Sequence, residues 1–526
     1  MKPRNPPRDP SHHTSPHASA VAAQGTSPIP SPSAETAYDL VFAGKRVHFI
    51  GIGGSGMSGL AQMLRNRGAT VMGSDQSWSP LLEQLENLGI HSHVGEPMSV
   101  LPSDLDLVVY SAAIKGNHPE MLAASERCIR TLTYAEVLGL AQQQCTSVSI
   151  AGTHGKSTTT AMTSWVLLRT GLDPSVIVGA TCEQIGGGSR NGSARIPAGP
   201  LCGEPGIMVC EACEFNRSFH QHRPQIAVIN NVEADHLDCY ANLEAIIQSF
   251  REFAGLLPSA EAGGRLLIAH EGAHRREVCS DLSCAVATWG FSPSADYQVI
   301  YDAKAQRVGI LQDGIWMAQW TNQMPGDHNA LNSAAAAITA HWLGADWDAI
   351  AEALCEFRGL DRRSQLKGVR TLASGGTVRV FDDYAHHPTE CEKTLRALRA
   401  SERPRRLICV FQPHQASRTR HLLSEFASSF SNADIVLVPD IYFSRDSEND
   451  KQRVSSSDLV ERLRERGTDA RHHHPFEAIN RELETLCEDG DLVVTMGAGP
   501  VYKIAESYLG SELRAPLDWI KNARSA

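Results

Sequence analysis

The sequence predicts an α/β protein of three domains, each built on a doubly wound and largely parallel sheet, behind a disordered N-terminal tail. Three observations carry this reading. Short apolar runs of strand length alternate with helical patterns along nearly the whole chain, as they do in open parallel sheets. Two of those runs end in glycine-rich turns that open a helix, GIGGSG at 51–56 and GTHGKST at 152–158. Finally, 526 residues exceed what a single hydrophobic core organises.

Residues 1–38 are rich in Pro, Ser and His and poor in large apolar side chains. They cannot offset the entropy of ordering, so a disordered tail is expected. They also lack the apolar core of a signal peptide. For the rest, 42% hydrophobic and 20% charged residues fit an ordinary globular protein. A net charge of -11 argues against nucleic acid and against an anionic membrane surface as partners. No run approaches the ~18 apolar residues of a membrane span. Thirteen scattered cysteines, an odd number, speak against a disulfide framework and for reduced thiols in the cytoplasm.

The first domain is read as residues 39–145. Val47 to Ile50 is a buried parallel strand, Gly51, Gly53 and Gly56 form GxGxxG, and Met57, Leu60, Ala61 and Leu64 repeat at helical spacing. A second strand from Thr70 ends at Asp75, which completes a Rossmann-type unit. LDLVVYSAA and RTLT supply further strands. The central domain, residues 146–359, opens on the strand SVSIAG and continues with GIMVCEA, IAVINNV and the Ala-rich helix HNALNSAAAAITAHWLG. The glycine-rich stretch at 185–206 reads as a surface excursion. The third domain, 360–526, resumes the alternation with TVRVFDDYAHHPTE, RLICVFQPHQ, DIVLVPD and DLVVTMGAG.

The chemistry concentrates after the strands. GTHGKST is shorter than the common phosphate-loop motif, because Ile150 stands where that motif has its first Gly. Its glycines still let backbone N–H groups approach phosphate, and the following helix adds a favourable dipole. Lys156 would face the β- and γ-phosphates and Ser157 could ligate Mg2+. Glu211, Glu214, Asp235 and His236 each follow a strand, where open sheets place ligands; they are metal-ligand candidates or else loop solvation and helix caps. Asp327 or Asn329 starts a helix and could simply cap it. Arg358, Arg362 and Arg363 could clamp a transferred phosphate or could be a solvated linker. Tandem His386 and His387, with His414, follow strands of the third domain.

In combination and in order, GTHGKST, EADH, HNALN, DDYAHHPTE and FQPH resemble the Mur ligase family, ATP-dependent amino-acid ligases of peptidoglycan precursor synthesis. The resemblance runs from about residue 44 to 510. It implies ATP and Mg2+ as cofactors, and ATP, UDP-N-acetylmuramate and L-alanine as partners, with a carboxylate activated as an acyl phosphate. It implies an ATP site at Gly152, Thr153, His154, Gly155, Lys156, Ser157 and Thr158, with His328 and Asn329 at the adenine, Arg363 near the γ-phosphate and Asp382 or Asp383 at the ribose. Ser157, Glu214 and His236 match the metal site; with Lys156, the last two are the implied catalytic residues. Gly51, Gly53, Gly54, Ser55, Gly56, Met57, Asp75 and Ser111 would hold the UDP moiety. Tyr384, His386, His414 and Arg418 would lie near the incoming amino acid. The chain departs from the family pattern at Ser157 for Thr, at Cys213, Phe215 and Asn216 in the acidic motif, and at Gln415 for Arg. A monomer or homodimer is expected.

Other readings stay open. A family member that attaches a preformed tripeptide to UDP-N-acetylmuramate shares most of these motifs. GxGxxG with Asp75 also fits an NAD-dependent dehydrogenase, although that leaves the second loop unexplained. A regulatory nucleotide-binding module would have no need of the His-rich third domain.

Overall fold

The structure, a computed structural model, describes residues 42–444 and 446–510; the tail read at 1–38 lies outside them. In the first sheet, β1 (Arg46–Ile50), β2 (Thr70–Asp75), β3 (His91–Val94), β4 (Leu107–Tyr110) and β5 (Arg130–Thr133) run parallel in the order β3-β2-β1-β4-β5. The winding reverses between β1 and β4, which opens a crevice at their carboxyl ends. Helix α1 (Ser55–Asn66) starts there and buries Met57, Leu60, Ala61 and Leu64 on one face, as the spacing predicts.

The central sheet holds β6 (Thr146–Ala151), β7 (Ser175–Cys182), β8 (Gly187–Arg190), β9 (Ile207–Glu211), β10 (Ile226–Ile229), β11 (Arg265–Ala269), β12 (Ala285–Gly290), β13 (Tyr297–Asp302), β14 (Arg307–Gln312) and β15 (Ile315–Thr321). Their order is β15-β14-β13-β12-β11-β10-β6-β9-β7-β8. β6 is buried along its whole length, and its switch point lies against β10. Two helices pack over this region, α2 (Lys156–Arg169) and α3 (Asp327–Trp342). Ala334, Ala335, Ala336 and Ala337 of α3 are wholly buried, and Thr163 and Ser164 of α2 return their hydroxyls to carbonyls one turn back at 2.8 and 2.7 Å. Small and self-satisfied side chains let the two helices approach closely.

In the third sheet, β16 (Gln365–Thr371), β17 (Thr377–Asp383), β18 (Leu407–Phe411), β19 (Ile435–Val438), β20 (Asp469–His472) and β21 (Leu492–Met496) take the order β16-β17-β21-β18-β19-β20, with only β16 antiparallel. Helices α4 (Pro388–Glu402) and α5 (Ala416–His421) begin at the carboxyl ends of β17 and β18.

Two parts differ from the sequence reading. The stretch 185–206 is more than a surface excursion: β8 pairs antiparallel with β7 at the sheet edge, Ile196 is buried, and Ser189 Cβ lies 2.7 Å from where a Cβ on Gly59 of α1 would sit. This edge thus packs on the first sheet's helix. The β13–β15 meander went unread because its outer strand exposes Ile315 and Trp316 and lacks a clean alternation.

The first and central sheets also meet through the helix Tyr134–Gln142. A Cβ on its Gly139 would fall 2.0 Å from the Gln221 carbonyl oxygen, and buried Gln142 bridges the Ser149 hydroxyl and the Arg223 N–H at 2.9 and 2.8 Å. Gly139→Ala is therefore predicted to destabilise despite the helix preference for Ala, since overpacking costs about 1–3 kcal/mol against a gain of about 0.5–1 kcal/mol. Its thermal midpoint should fall by roughly 2–6 °C, while Gly116→Ala, which meets nothing within 4 Å, should not move. Equal midpoints for the two variants would contradict the close approach.

Candidate active site

The phosphate loop lies at the switch point of the central sheet. Gly152 and Gly155 have φ of +135° and +80°, and a Cβ on Gly155 would sit 2.6 Å from Asn332 Oδ1; only glycine fits there. The end of β10 braces the loop. Asn231 Oδ1 accepts from the His154 N–H at 2.7 Å, Asn231 Nδ2 donates to the His154 carbonyl at 3.2 Å, and Asn230 Nδ2 donates to Thr159 Oγ1 at 3.1 Å. Thr153 Oγ1 accepts from the Glu233 N–H at 2.9 Å. α2 starts with no side-chain cap and no acid in its first turn, and so does α1 at the first glycine loop. Their leading N–H groups therefore stay available to an anion. By contrast α4 is closed by a capping box from His387 and Glu390.

Lys156 Nζ donates to the Gly152 and Thr153 carbonyls at 2.6 and 3.2 Å and to both oxygens of Glu214 at 3.2 and 2.9 Å. Burial opposes its charge, but the Glu214 carboxylate outweighs this and holds the lysine pKa above its usual value. His236 Nε2 lies 3.8 Å from Glu214, and its buried Nδ1 has no hydrogen-bond partner among the described residues. Arg363 reaches the Ser157 hydroxyl at 3.5 Å and lies over the Tyr384 ring.

His154 joins the central and third sheets. Its Nε2 is 3.3 Å from Glu233 and its Nδ1 is 3.3 Å from Glu390 of α4. Burial favours the neutral ring, yet the two carboxylates raise its pKa to about 9, and Glu233 is held down at about 2. Thr389 donates to Glu233 at 2.6 Å. His154, Glu233 and His387 are close enough to suggest a metal triad. The donor chemistry is wrong for one: His387 uses one ring nitrogen to accept from the Thr389 N–H at 3.3 Å and the other against the Ala234 carbonyl at 3.1 Å. The cluster is an imidazolium held between two carboxylates. Nearby, Arg418 binds Asp235 through Nε and Nη2, both at 3.0 Å, and holds that buried carboxyl far below its usual range against the effect of burial.

A cavity of about 460 Å3 opens beside the loop, walled by His154, Gly155, Thr158, His328, Asn329 and Arg363 among others. These are sequence-predicted residues. Asn329 lies on the wall, but its amide is engaged with the Pro325 carbonyl and Asn332 at 2.9 and 3.2 Å. Of the two candidate aspartates, Asp382 does not reach the cavity; it is wholly buried against Arg362 and Thr495 at 2.9 and 2.6 Å. Asp383, on the opposite face of β17, lines the cavity and accepts from the Ser364 and Ala385 N–H groups at 2.6 and 2.7 Å. Glu211 is likewise turned aside, accepting from the Gly179 N–H of β7 at 2.8 Å.

Tyr384, His386 and His414 form a run of rings with centroids 5.5 and 6.0 Å apart, and burial pushes His386 down to about 4. Arg418 stands beside them, already committed to Asp235. The Gly51–Met57 loop forms its own site in the first sheet. Gly53 N–H donates to Asp75 at 2.9 Å, and Ser111 Oγ lies 3.3 Å from where a Cβ on Gly51 would be. Ser55 and Gly56 open α1 behind Gly54. Several strained residues cluster at the junction: His236, Arg362, Ser364 and Gln415 have φ of +52°, +57°, +47° and +67°, as backbones at functional sites often do. Glu233, Glu390, Asn230 and Asn231 were missed as site residues. Glu390 had a signal, its position three residues into a helix, but that marks only a cap.

Fold and site define an α/β enzyme of three domains with one glycine loop at the first sheet and a second at the central sheet. Family models match the chain in three consecutive pieces: the Mur ligase family catalytic domain over 46–144, the Mur ligase middle domain over 150–340, and the Mur ligase glutamate ligase domain over 362–499. The chain belongs to the Mur ligase family. It is 40% identical over 471 residues to the UDP-N-acetylmuramate–L-alanine ligase of Caldanaerobacter subterraneus, covering 88% of this chain and 97% of the relative. Among solved structures, the UDP-N-acetylmuramate-alanine ligase of Thermotoga maritima matches with a TM-score of 0.69 at 22% identity, over 91% of this chain and 99% of that one. A murein peptide ligase from Psychrobacter arcticus matches at 0.65 and 24%, over 90% and 100%. At these identities the two structures share the fold.

The His154 arrangement has a pH signature. Its folded pKa of about 9 exceeds the ordinary 6.5, so its contribution is complete below about pH 6.5 and is lost as pH rises towards 9. The stability advantage over His154→Gln, followed by urea unfolding, should shrink across that window. An advantage that stays constant or grows with pH would contradict the imidazolium assignment.

Proposed function

We propose that this chain is an ATP-dependent ligase that joins L-alanine to the lactyl carboxylate of UDP-N-acetylmuramate, releasing ADP and phosphate. The observation that carries the reading is the convergence on one junction of Lys156, bound to the phosphate loop and Glu214, with Arg363 and the Tyr384–His386–His414 run of the third sheet. The name of the 40%-identical relative supports the same reaction and substrates.

Chemically, the substrate carboxylate is a poor electrophile. One of its oxygens attacks the γ-phosphorus and ADP leaves, forming an acyl phosphate. The alanine amine then adds to the carbonyl carbon, and the tetrahedral adduct expels phosphate as its C–O bond breaks. Lys156 and Arg363 oppose charge on the transferring group. Neutral His386 is suited to take the proton that the amine loses. Mg2+ prefers oxygen ligands, and Ser157 Oγ and the Glu214 carboxylate would hold it, with His236 Nε2 3.8 Å from that carboxylate. The ion would offset phosphate charge. The first glycine loop would take the substrate's pyrophosphate. Asp75, bonded to the Gly53 and Ser77 N–H groups at 2.9 and 3.3 Å, braces that loop.

The reading is tested by phosphate release, which should need UDP-N-acetylmuramate and L-alanine together. Turnover with the tripeptide in place of alanine would favour the peptide-ligase reading, and release without either substrate would defeat both. Lys156→Ala should lower the rate about 10³-fold or more, an effect of several kcal/mol on the transition state. It should also lower the thermal midpoint, because Glu214 loses its buried partner. A folded variant with near-normal phosphate release would remove Lys156 from the reaction.

A further inference from the structure

The cavity wall contributed by α4 carries a cation that no motif marked. Glu390, Lys393, Thr394 and Ala397 share one face of α4 by their three- and four-residue spacing. Glu390 stands at the phosphate-loop end of the cavity, where it meets His154 Nδ1 at 3.3 Å. Ala397, two turns further on, has its Cβ 2.9 Å from where a Cβ on Gly326 would lie, next to the cavity residue His328. Lys393 and Thr394, between them on the helix, line the cavity.

The other charged groups of this wall already have partners. Glu233 and Glu390 share His154; Asp383 accepts two backbone N–H groups; Glu271 accepts from the Ser292 N–H at 2.7 Å. Arg363 is placed against Ser157, Tyr384 and Glu390. Among the described residues, no hydrogen bond or ion pair engages the Lys393 ammonium; its charge is felt at Glu233, whose carboxyl it helps to hold ionised. A half-buried ammonium without a directly bonded partner forgoes solvation, and an anion in the cavity would compensate for it.

Resting on the nucleotide reading above, we infer that Lys393 is a nucleotide-binding residue, its ammonium contacting the polyphosphate of ATP from the side opposite the glycine loop. The third sheet then does more than receive the amino acid: through α4 it supplies charge to the nucleotide. The side chain is long, half-buried and on a helix surface, so its replacement spares the core.

The test is titration calorimetry of the full chain with ADP and with adenosine, alongside steady-state kinetics in ATP. Lys393→Ala and Lys393→Met should each weaken ADP about tenfold, as loss of one charge-assisted contact does. Adenosine affinity should hold, Lys393→Arg should recover most of the loss, and KM for ATP should rise more than kcat falls. Unchanged ADP affinity in Lys393→Ala would overturn the inference. So would equal losses for ADP and adenosine, since helix packing rather than charge would then be at work. An unsubstituted chain that binds no ADP would instead overturn the nucleotide reading beneath it.

Discussion

The contact between Lys156 and Glu214 is the interaction on which the rest of the catalytic junction depends. A cation must be fixed beside the glycine loop before a nucleotide arrives, and its burial makes an unpaired charge there expensive. The pair is set by sheet register. Lys156 follows β6 and Glu214 follows β9, two strands that run side by side with Ile150 opposite Glu211. Their carboxyl ends thus open at the same level, and the lysine, held also by two loop carbonyls, has one place to go. Any slip of that register would displace the cation from the loop, so the stability of the central sheet and the placement of the charge are a single constraint.

Around this pair, capping follows function. The two helices that open from the glycine loops begin without side-chain caps, whereas the helix that closes the junction from the third sheet is capped twice over by His387 and Glu390. Glu390 serves two ends at once: one oxygen accepts from the His386 N–H at 3.0 Å while the other meets His154 of the phosphate loop. The geometry of α4 is thereby coupled to the loop by one protonated ring. The Asp235–Arg418 pair, buried on both sides, provides a second tie between the same two sheets. Both ties are ionic and desolvated, so they hold only in the right alignment and offer little to a misaligned one.

Much of this was legible in the sequence because parallel strands are continuous apolar runs and glycine turns are explicit. β1, β6, β9 and β10 and the loops after them could be placed from residue type alone. What could not be read has identifiable causes. Asp382 and Asp383 are neighbours on a strand buried on both faces, so no alternation says which one meets the cavity. The His154 clasp unites residues from three distant segments, and each of its carboxylates has an innocent local role as a cap or loop acid. Nothing in the sequence pairs Arg418, expected near the incoming amino acid, with the distant Asp235. β8 was obscured by its glycines, which contribute no side-chain pattern while still pairing at a sheet edge.

The central claim is that one oxygen of the muramoyl carboxylate passes through an acyl phosphate at this junction. It is tested most directly by supplying UDP-N-acetylmuramate labelled with ¹⁸O in that carboxylate and examining the released phosphate by mass spectrometry. The account predicts one labelled oxygen in the phosphate for each peptide bond formed. Phosphate free of label, with peptide bond formation intact, would contradict it.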